Sequence, residues 1–195
     1  PMTKRIIRAA GRRRNPEEIP TVAGEISAAE YRARRERVMA ELADGSNSPQ
    51  TLAWRQRLVE ADPSIENKVA LGMASLRYEI FPHSIAENLV RDLADSAKTD
   101  PAYLWLAAEL AIKHGRFAEA ETRFQDVLSV SPTNESAQVN LAVLQLQSED
   151  SQKVSSARAS LEKLQSSPDN GLRALRSLVE NSLKRNDLDT AEQFS

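Results

Sequence analysis

Apolar residues recur with a helical period from residue 28 onward, whereas residues 1–26 lack that period and contain two helix-breaking prolines. We therefore predict an extended arm over the first 26 residues. A helix is predicted from Ala28 to about Ala43, because Ser27 and Glu30 have the spacing of a capping box. A second helix is predicted from Pro49 to Ala61, since proline is well tolerated in a first turn.

The remaining sequence contains a repeated pattern of small and large apolar residues. Four alanines recur at intervals of 34, 37 and 34 residues, namely Ala86, Ala120, Ala157 and Ala191. Larger apolar residues follow four and seven positions later, namely Val90, Phe124 and Leu161, and then Leu93, Val127 and Leu164. This spacing places them on one face of a helix, with a small residue where another helix approaches closely.

A second register precedes the first and predicts a partner helix in each unit. Its anchors are spaced by 34, 34 and 37 residues, namely Met73, Ala107, Leu141 and Leu178. The longer interval of 37 residues runs from Ala120 to Ala157 in the first register and from Leu141 to Leu178 in the second. A single insertion of three residues explains both if it lies where the two intervals overlap, between Ala142 and Ala157. The polar run Ser148–Ser156 is predicted to hold it as a loop.

Two antiparallel helices in about 34 residues resemble the tetratricopeptide (TPR) repeat. Residues 101–134 match best, through Ala108, Gly115, Phe117, Ala120, Phe124, Val127 and Pro132. The sequence departs from the family at Leu104, where tryptophan is usual, and at Phe81-Pro82, where a glycine turn is usual. The resemblance implies an all-α fold, an α-solenoid of antiparallel helix pairs. It would comprise capping helices over 27–63 and repeats at about 64–98, 101–134, 135–170 and 171–195, the last incomplete.

The resemblance also implies a concave groove lined by the first helix of each unit. The family's ligand-facing positions correspond to Trp105, Glu109, Ile112, Val139, Val143, Leu146, Arg173 and Arg176. Such a groove would bind an amphipathic helix or an extended peptide. The three aliphatic residues of the third unit fit equally well against a neighbouring helix. Asn140 falls on a position of the clamp that binds chaperone C-termini in this family, but the clamp is broken, because Glu109 would repel a carboxylate.

Composition argues against catalysis and against metal binding. The chain has no cysteine, and His83 and His114 are its only imidazoles. His114 is expected at the surface as a helix C-terminal cap, and His83 in the 81–84 loop with no second imidazole nearby. No glycine-rich phosphate loop occurs. We therefore expect no enzyme activity, no metal site and no cofactor.

Charge is distributed unevenly along the chain. The formal net charge is -2, but residues 1–37 carry ten basic and five acidic residues, which leaves -7 for the rest. The first basic cluster comprises Lys4, Arg5, Arg8, Arg12, Arg13 and Arg14. In a helical conformation this cluster would suit an anionic membrane surface, although short charge runs more often only keep a segment solvated. Nucleic acid fits this cluster less well than a membrane surface does, because no aromatic residue alternates with the cations for base stacking.

Localisation follows from the absence of long apolar segments in the sequence. No stretch of about 18 apolar residues occurs, and no apolar segment follows the basic start. Pro1 precedes Met2, which suggests a processed or partial chain. We expect a cytoplasmic protein, or one at the cytoplasmic face of a membrane if the chain continues upstream with a spanning helix.

The sequence therefore favours a non-catalytic scaffold that binds a protein segment in a groove. Two alternatives remain open. The basic arm could serve as an adaptor to an anionic membrane or nucleic acid, or the repeats could regulate a larger enzyme or membrane protein.

Overall fold

The structure, a computed structural model, describes residues 27–46 and 48–194. All regular secondary structure in this part of the chain is α-helical, and no strand occurs in it, so the all-α prediction is confirmed. The predicted arm over residues 1–26, with its six basic residues, lies outside the described residues. The chain divides into two compact units, Pro1–Asn67 and Lys68–Ser195.

The first unit contains two helices that pack against each other, α1 (Ala28–Gly45) and α2 (Gln50–Ala61). The Ser27 hydroxyl accepts a hydrogen bond from the Glu30 amide at 3.1 Å, as predicted. The Glu30 carboxylate does not complete the capping box, because it pairs with Arg34 at 2.7 Å. Ala40 on α1 and Leu58 on α2 are fully buried in this unit.

The second unit holds the predicted helix pairs in sequence. Their bounds are α3 (Ile65–Tyr78, which begins in the first unit), α4 (Ser84–Leu93), α5 (Pro101–Lys113), α6 (Phe117–Val130), α7 (Glu135–Gln145), α8 (Ser151–Leu164), α9 (Gly171–Lys184) and α10 (Leu188–Gln193). From α4 onward each helix packs against the next, and α7 also packs against α9. Three of these helices are capped at their N-terminus by the side-chain oxygen of the preceding residue, which accepts hydrogen bonds from backbone N–H groups of the first turn. These capping residues are Asp100, Asn134 and Asp150.

Two of the connections within helix pairs share one backbone geometry. Gly115 and Asn186 both have positive φ, 70° and 58°. In each turn the left-handed residue donates to the carbonyl three residues earlier, and the next residue donates to the carbonyl five earlier, at 2.8–3.0 Å. This is the Schellman arrangement, which satisfies the free carbonyls at a helix end. The α3–α4 connection instead has His83 in the left-handed conformation, at φ 60°.

The predicted small-residue register is confirmed by burial. The four alanines at positions 86, 120, 157 and 191 are each at most 5% exposed. The larger residues on the same face, Phe124, Leu161 and Val127, are fully buried. A buried small residue therefore recurs in α4, α6, α8 and α10.

The insertion lies where the two registers placed it, but most of it is helical. The predicted loop at Ser148–Ser156 is wrong for residues 151–156, which form the first turns of α8. Ala120 is the fourth residue of α6, whereas Ala157 is the seventh of α8. The added turn is stable because Asp150 caps it and Val154 is buried in it, at 6% exposure.

Candidate functional site

The predicted groove residues lie on three helices, α5, α7 and α9, except Leu146, which directly follows α7, and they differ widely in exposure. Trp105, Glu109, Ile112 and Val143 are half-buried, Arg173 and Arg176 are exposed, and Leu146 is 8% exposed. Val139 is completely buried in a core cluster with residues of α8 and α9. Its side chain therefore packs against neighbouring helices, which is the alternative that the sequence left open.

Trp105 connects this face to the core. Its ring meets the ring of Phe124 edge-to-face, with centroids 5.3 Å apart and an interplanar angle of 78°. Phe124 lies on α6 and is fully buried. The half-buried indole of Trp105 therefore packs on its inner side against Phe124. Edge-to-face pairs of this kind add stability beyond that of their buried area.

A polar track crosses the same three helices. The guanidinium of Arg173 on α9 donates a hydrogen bond to the carboxamide oxygen of Asn140 on α7. Burial raises the pKa of Glu109 on α5, while the nearby charges of Arg173 and Lys113 act in the opposite direction. One polar side chain from each helix thus contributes to the track.

Asn140, which the resemblance to the TPR repeat places on a clamp position, is a nearly buried polar residue in the structure. Its side chain is 4% exposed and its Nδ2 has no hydrogen-bond partner among the described residues. In the sequence, the signal for the buried hydrogen bond between Asn140 and Arg173 is a polar residue on an otherwise apolar helix face.

The two predicted groove arginines are both hydrogen-bonded, but to different kinds of partner. Arg173 is engaged with Asn140, and the Arg176 Nε lies 2.8 Å from Glu180 Oε1, one helical turn away. The hydrogen bond and charge of Glu180 raise the pKa of Arg176 further. The charge of Arg176 is therefore offset by Glu180, whereas Arg173 remains a cation, because its hydrogen-bond partner Asn140 is neutral.

A cleft of about 450 Å³ opens between the α7–α8 connection and α9. Two of the predicted groove residues, Val143 and Leu146, help to line it together with Val154. The polar residues of its walls are Gln147, Ser148, Glu149, Ser151, Ser177, Glu180, Asn181, Lys184 and Arg185. The helical repeat predicted the face but not the cleft, because the cleft depends on the shape of the 146–150 connection.

The two histidines lie close together, which corrects the prediction that His83 has no second imidazole nearby. Their ring centroids are 6.2 Å apart, and the ring of Phe81 lies 5.4 Å from that of His114. His83 is 8% exposed. The His114 side chain is only 12% exposed, so it is not the surface cap expected, although its backbone does end α5. Within the described residues, no group of three or more histidines, aspartates or glutamates could hold a metal ion.

The basic residues of α1 are largely neutralised inside the first unit. Arg34 pairs with Glu30, Arg35 with Glu36 and Arg37 with Asp62, at 2.7–3.2 Å. A shallow cleft of about 310 Å³ between α1 and α2 is lined by Arg32, Arg35, Glu36, Arg57, Glu60 and Ala61. Three guanidinium groups and two carboxylates therefore share this surface.

Two comparisons of the sequence with known proteins found no match. No protein-family model and no curated protein matches the chain. Across the described ranges, none of the helices combines the length and the apolar character that crossing a bilayer requires.

Proposed function

We propose that this chain is a non-catalytic scaffold that binds a peptide or an amphipathic helix. In this proposal the helix pairs form a TPR-like solenoid, and the face of α5, α7 and α9 is its binding groove. The observation that carries the proposal is the contact between first helices: α7 packs on α9, and Arg173 bonds to Asn140 across them. Contact between alternate helices, in addition to contact between successive ones, is what a stack of helix pairs requires.

The chemistry of this face favours a partner with apolar side chains and few acidic groups near α5. Trp105 and Ile112 offer half-buried apolar surface, and Trp105 is held rigid by Phe124. A rigid aromatic side chain is a good anchor because it loses little entropy on binding. Glu109 lies between them on α5 and would repel a carboxylate, which disfavours a partner's C-terminus at that point. A cytoplasmic location remains part of the proposal.

Selection from a random-peptide display library tests the proposal directly. We expect peptides selected on the wild-type chain to lose affinity for the Ile112→Glu variant, because the substitution places a charge on the apolar surface. Phe117→Ala is the matched control: this residue is 51% exposed but lies on α6, a second helix. Thermal melting must stay unchanged in both variants for the comparison to hold. Selected peptides that bind both variants equally, or a failure to select any, would contradict the proposal.

A second candidate function rests on the arginines of the first unit. Arg32, Arg35 and Arg57 line one cleft, and in this proposal they act together with the basic residues at positions 4–14 of the sequence as an adaptor to anionic lipid. Sedimentation with vesicles containing phosphatidylserine tests this. Binding should fall steeply with salt and be lost when Arg12, Arg13 and Arg14 are all changed to Ala. Binding that survives that triple substitution would remove the adaptor hypothesis.

A further inference from the structure

The cleft between the α7–α8 connection and α9 arises from the unusual length of that connection. α7 ends at Gln145, and five residues, 146–150, separate it from α8, whereas three residues, 114–116, separate α5 from α6. The longer connection leaves open a space of about 450 Å³ against α9. That volume is within the range of about 300–1,000 Å³ that is typical of ligand-binding clefts, so it has ample room for an apolar side chain.

The walls of the cleft are fixed before any ligand arrives. Asn181 on α9 donates from Nδ2 to the carbonyl of Leu146 at 3.4 Å. Its Oδ1 accepts a hydrogen bond from Arg158 on α8 at 3.2 Å. One side chain thus joins the end of α7, α8 and α9. A preformed site of this kind loses little free energy to ordering when it binds.

The chemistry of the cleft is divided between an apolar base and a charged rim. Val143, Leu146 and Val154 supply the apolar surface, and Leu146 and Val154 are continuous with the core cluster. Lys184 and Arg185 stand at the end of α9, and neither side chain has a carboxylate partner among the described residues.

The carboxylates on the rim only partly offset these cations. Glu180 is already paired with Arg176, which leaves Glu149 as the lining carboxylate without an ion-pair partner in the described ranges. The unpaired charge of the rim is therefore positive, by two cations against one carboxylate.

We propose that this cleft binds one apolar side chain of a partner peptide, with acidic residues directly after it that meet Lys184 and Arg185. The inference rests on the proposed function and specifies its partner: an apolar residue followed by acidic ones. It also divides the groove into two parts, a face near Trp105 that repels carboxylates and an end near α9 that attracts them. Such a division would fix the direction in which a peptide lies.

Methyl-resolved NMR of the full chain, labelled at valine and leucine, provides the test. The probes are three capped tripeptides, acetyl-Leu-Glu-Glu-amide, acetyl-Leu-Lys-Lys-amide and acetyl-Ser-Glu-Glu-amide. We expect the first to shift the methyl signals of Val143, Leu146 and Val154 saturably, with a dissociation constant of about 1 mM, as suits so small a ligand. The other two should bind at least about fivefold more weakly, and added salt should weaken the first probe.

Two sets of variants localise the effect. Ser177→Phe fills the cleft and should abolish the shifts, whereas Ser160→Phe should not; both hydroxyls donate to the carbonyl four residues earlier on their helices, and Ser160 does not line this cleft. Changing Lys184 and Arg185 together to Gln should remove the preference for glutamate over lysine. Equal shifts from the glutamate and lysine probes, or shifts unchanged by Ser177→Phe, would overturn the inference.

The same spectra, with isoleucine methyls labelled as well, separate this inference from the function on which it rests. Peptides that shift signals at Ile112 but not at the cleft methyls would overturn the inference and leave the scaffold function intact. Saturable shifts at the cleft alone, with no library peptide dependent on Ile112, would support the cleft and contradict the larger groove.

Discussion

The Nε2 atom of His114 lies 3.0 Å from the carbonyl oxygen of Pro82, so the end of α5 is bonded to the connection between α3 and α4. Because a carbonyl only accepts, Nε2 must carry the proton in this contact. The other ring nitrogen lies 3.5 Å from the carboxylate of Glu87 on α4. A single side chain therefore links two successive helix pairs.

Removal of that link should cost stability. We expect His114→Ala to lower the free energy of unfolding by about 1–2 kcal/mol, through the lost hydrogen bond and the lost contact with Phe81. Glu87→Ala should cost less than about 0.5 kcal/mol, because that carboxylate is 44% exposed. Urea unfolding at neutral pH measures both. Equal losses would mean that most of the stabilisation by His114 comes from its contact with Glu87 and not from the bond to Pro82.

Glu109 should make stability depend on pH in a particular direction. Burial raises its pKa above the ordinary 4.5, so the folded state holds this proton more tightly than the unfolded state does. The stability gained from the protonated form is present below 4.5 and is lost as pH rises through the folded pKa. Glu109→Gln should therefore become more stable relative to wild type as pH rises from about 4 to about 7.

Urea unfolding at several pH values checks the effect of Glu109, and Glu119→Gln is its control. Glu119 pairs with Arg116 at the surface, at 3.3 Å, and its side chain is 39% exposed. At neutral pH the control variant should differ from wild type by less than about 0.5 kcal/mol, because its ion pair is exposed. A difference between Glu109→Gln and wild type that stays constant with pH would contradict the assignment.

Two glycines with open surroundings should respond in opposite ways to alanine. A Cβ at Gly45 or Gly115 would meet nothing within 4 Å, but only Gly115 has positive φ. Gly115→Ala should therefore cost about 1 kcal/mol, while Gly45→Ala should be neutral or slightly stabilising. Gly115→Asn should cost less than Gly115→Ala, since Asn186 occupies the equivalent turn at φ 58°. Thermal melting of the three variants provides the comparison, and equal effects of alanine at both glycines would rule out the backbone explanation.

Trp105 should matter more for binding than for folding. We expect Trp105→Ala to reduce the affinity of library-selected peptides by more than about tenfold, as loss of an aromatic anchor usually does. The stability loss should stay below the roughly 3–5 kcal/mol typical of a fully buried aromatic residue, because the indole is only half-buried. Trp105→Phe, which can keep the contact with Phe124, should retain stability. If Trp105→Ala lost about 3–5 kcal/mol of stability and selected peptides still bound its folded fraction, Trp105 would belong to the core alone.

Features set by local periodicity could be predicted from the sequence, whereas features set by the meeting of distant connections could not. Ala120 and Phe124 belong to a repeated register, and their burial follows from helix geometry alone. The proximity of His83 and His114 arises between two turns that approach only after helix pairs have packed. No spacing rule relates residues that far apart.

The candidate site divides in the same way. Trp105, Glu109 and Val143 were found by position within a repeated unit, and all three remain partly accessible. The bond from Arg173 to Asn140 joins residues 33 positions apart, so it depends on how two units are stacked. Val139 shows the limit of positional reasoning, because an outward position in one unit became core in another.

The extra turn at the start of α8 suggests how chains of this kind change length during evolution. Three added residues rotate a helix by about 300°, nearly a full turn, so Ala157 still faces its neighbour after the insertion. An insertion of two residues would rotate the same alanine by about 200° and expose it. Insertions and deletions that persist inside these helices should therefore have a length of three or four residues. An insertion of that length that also changes a connection creates a new surface and keeps the existing helix packing.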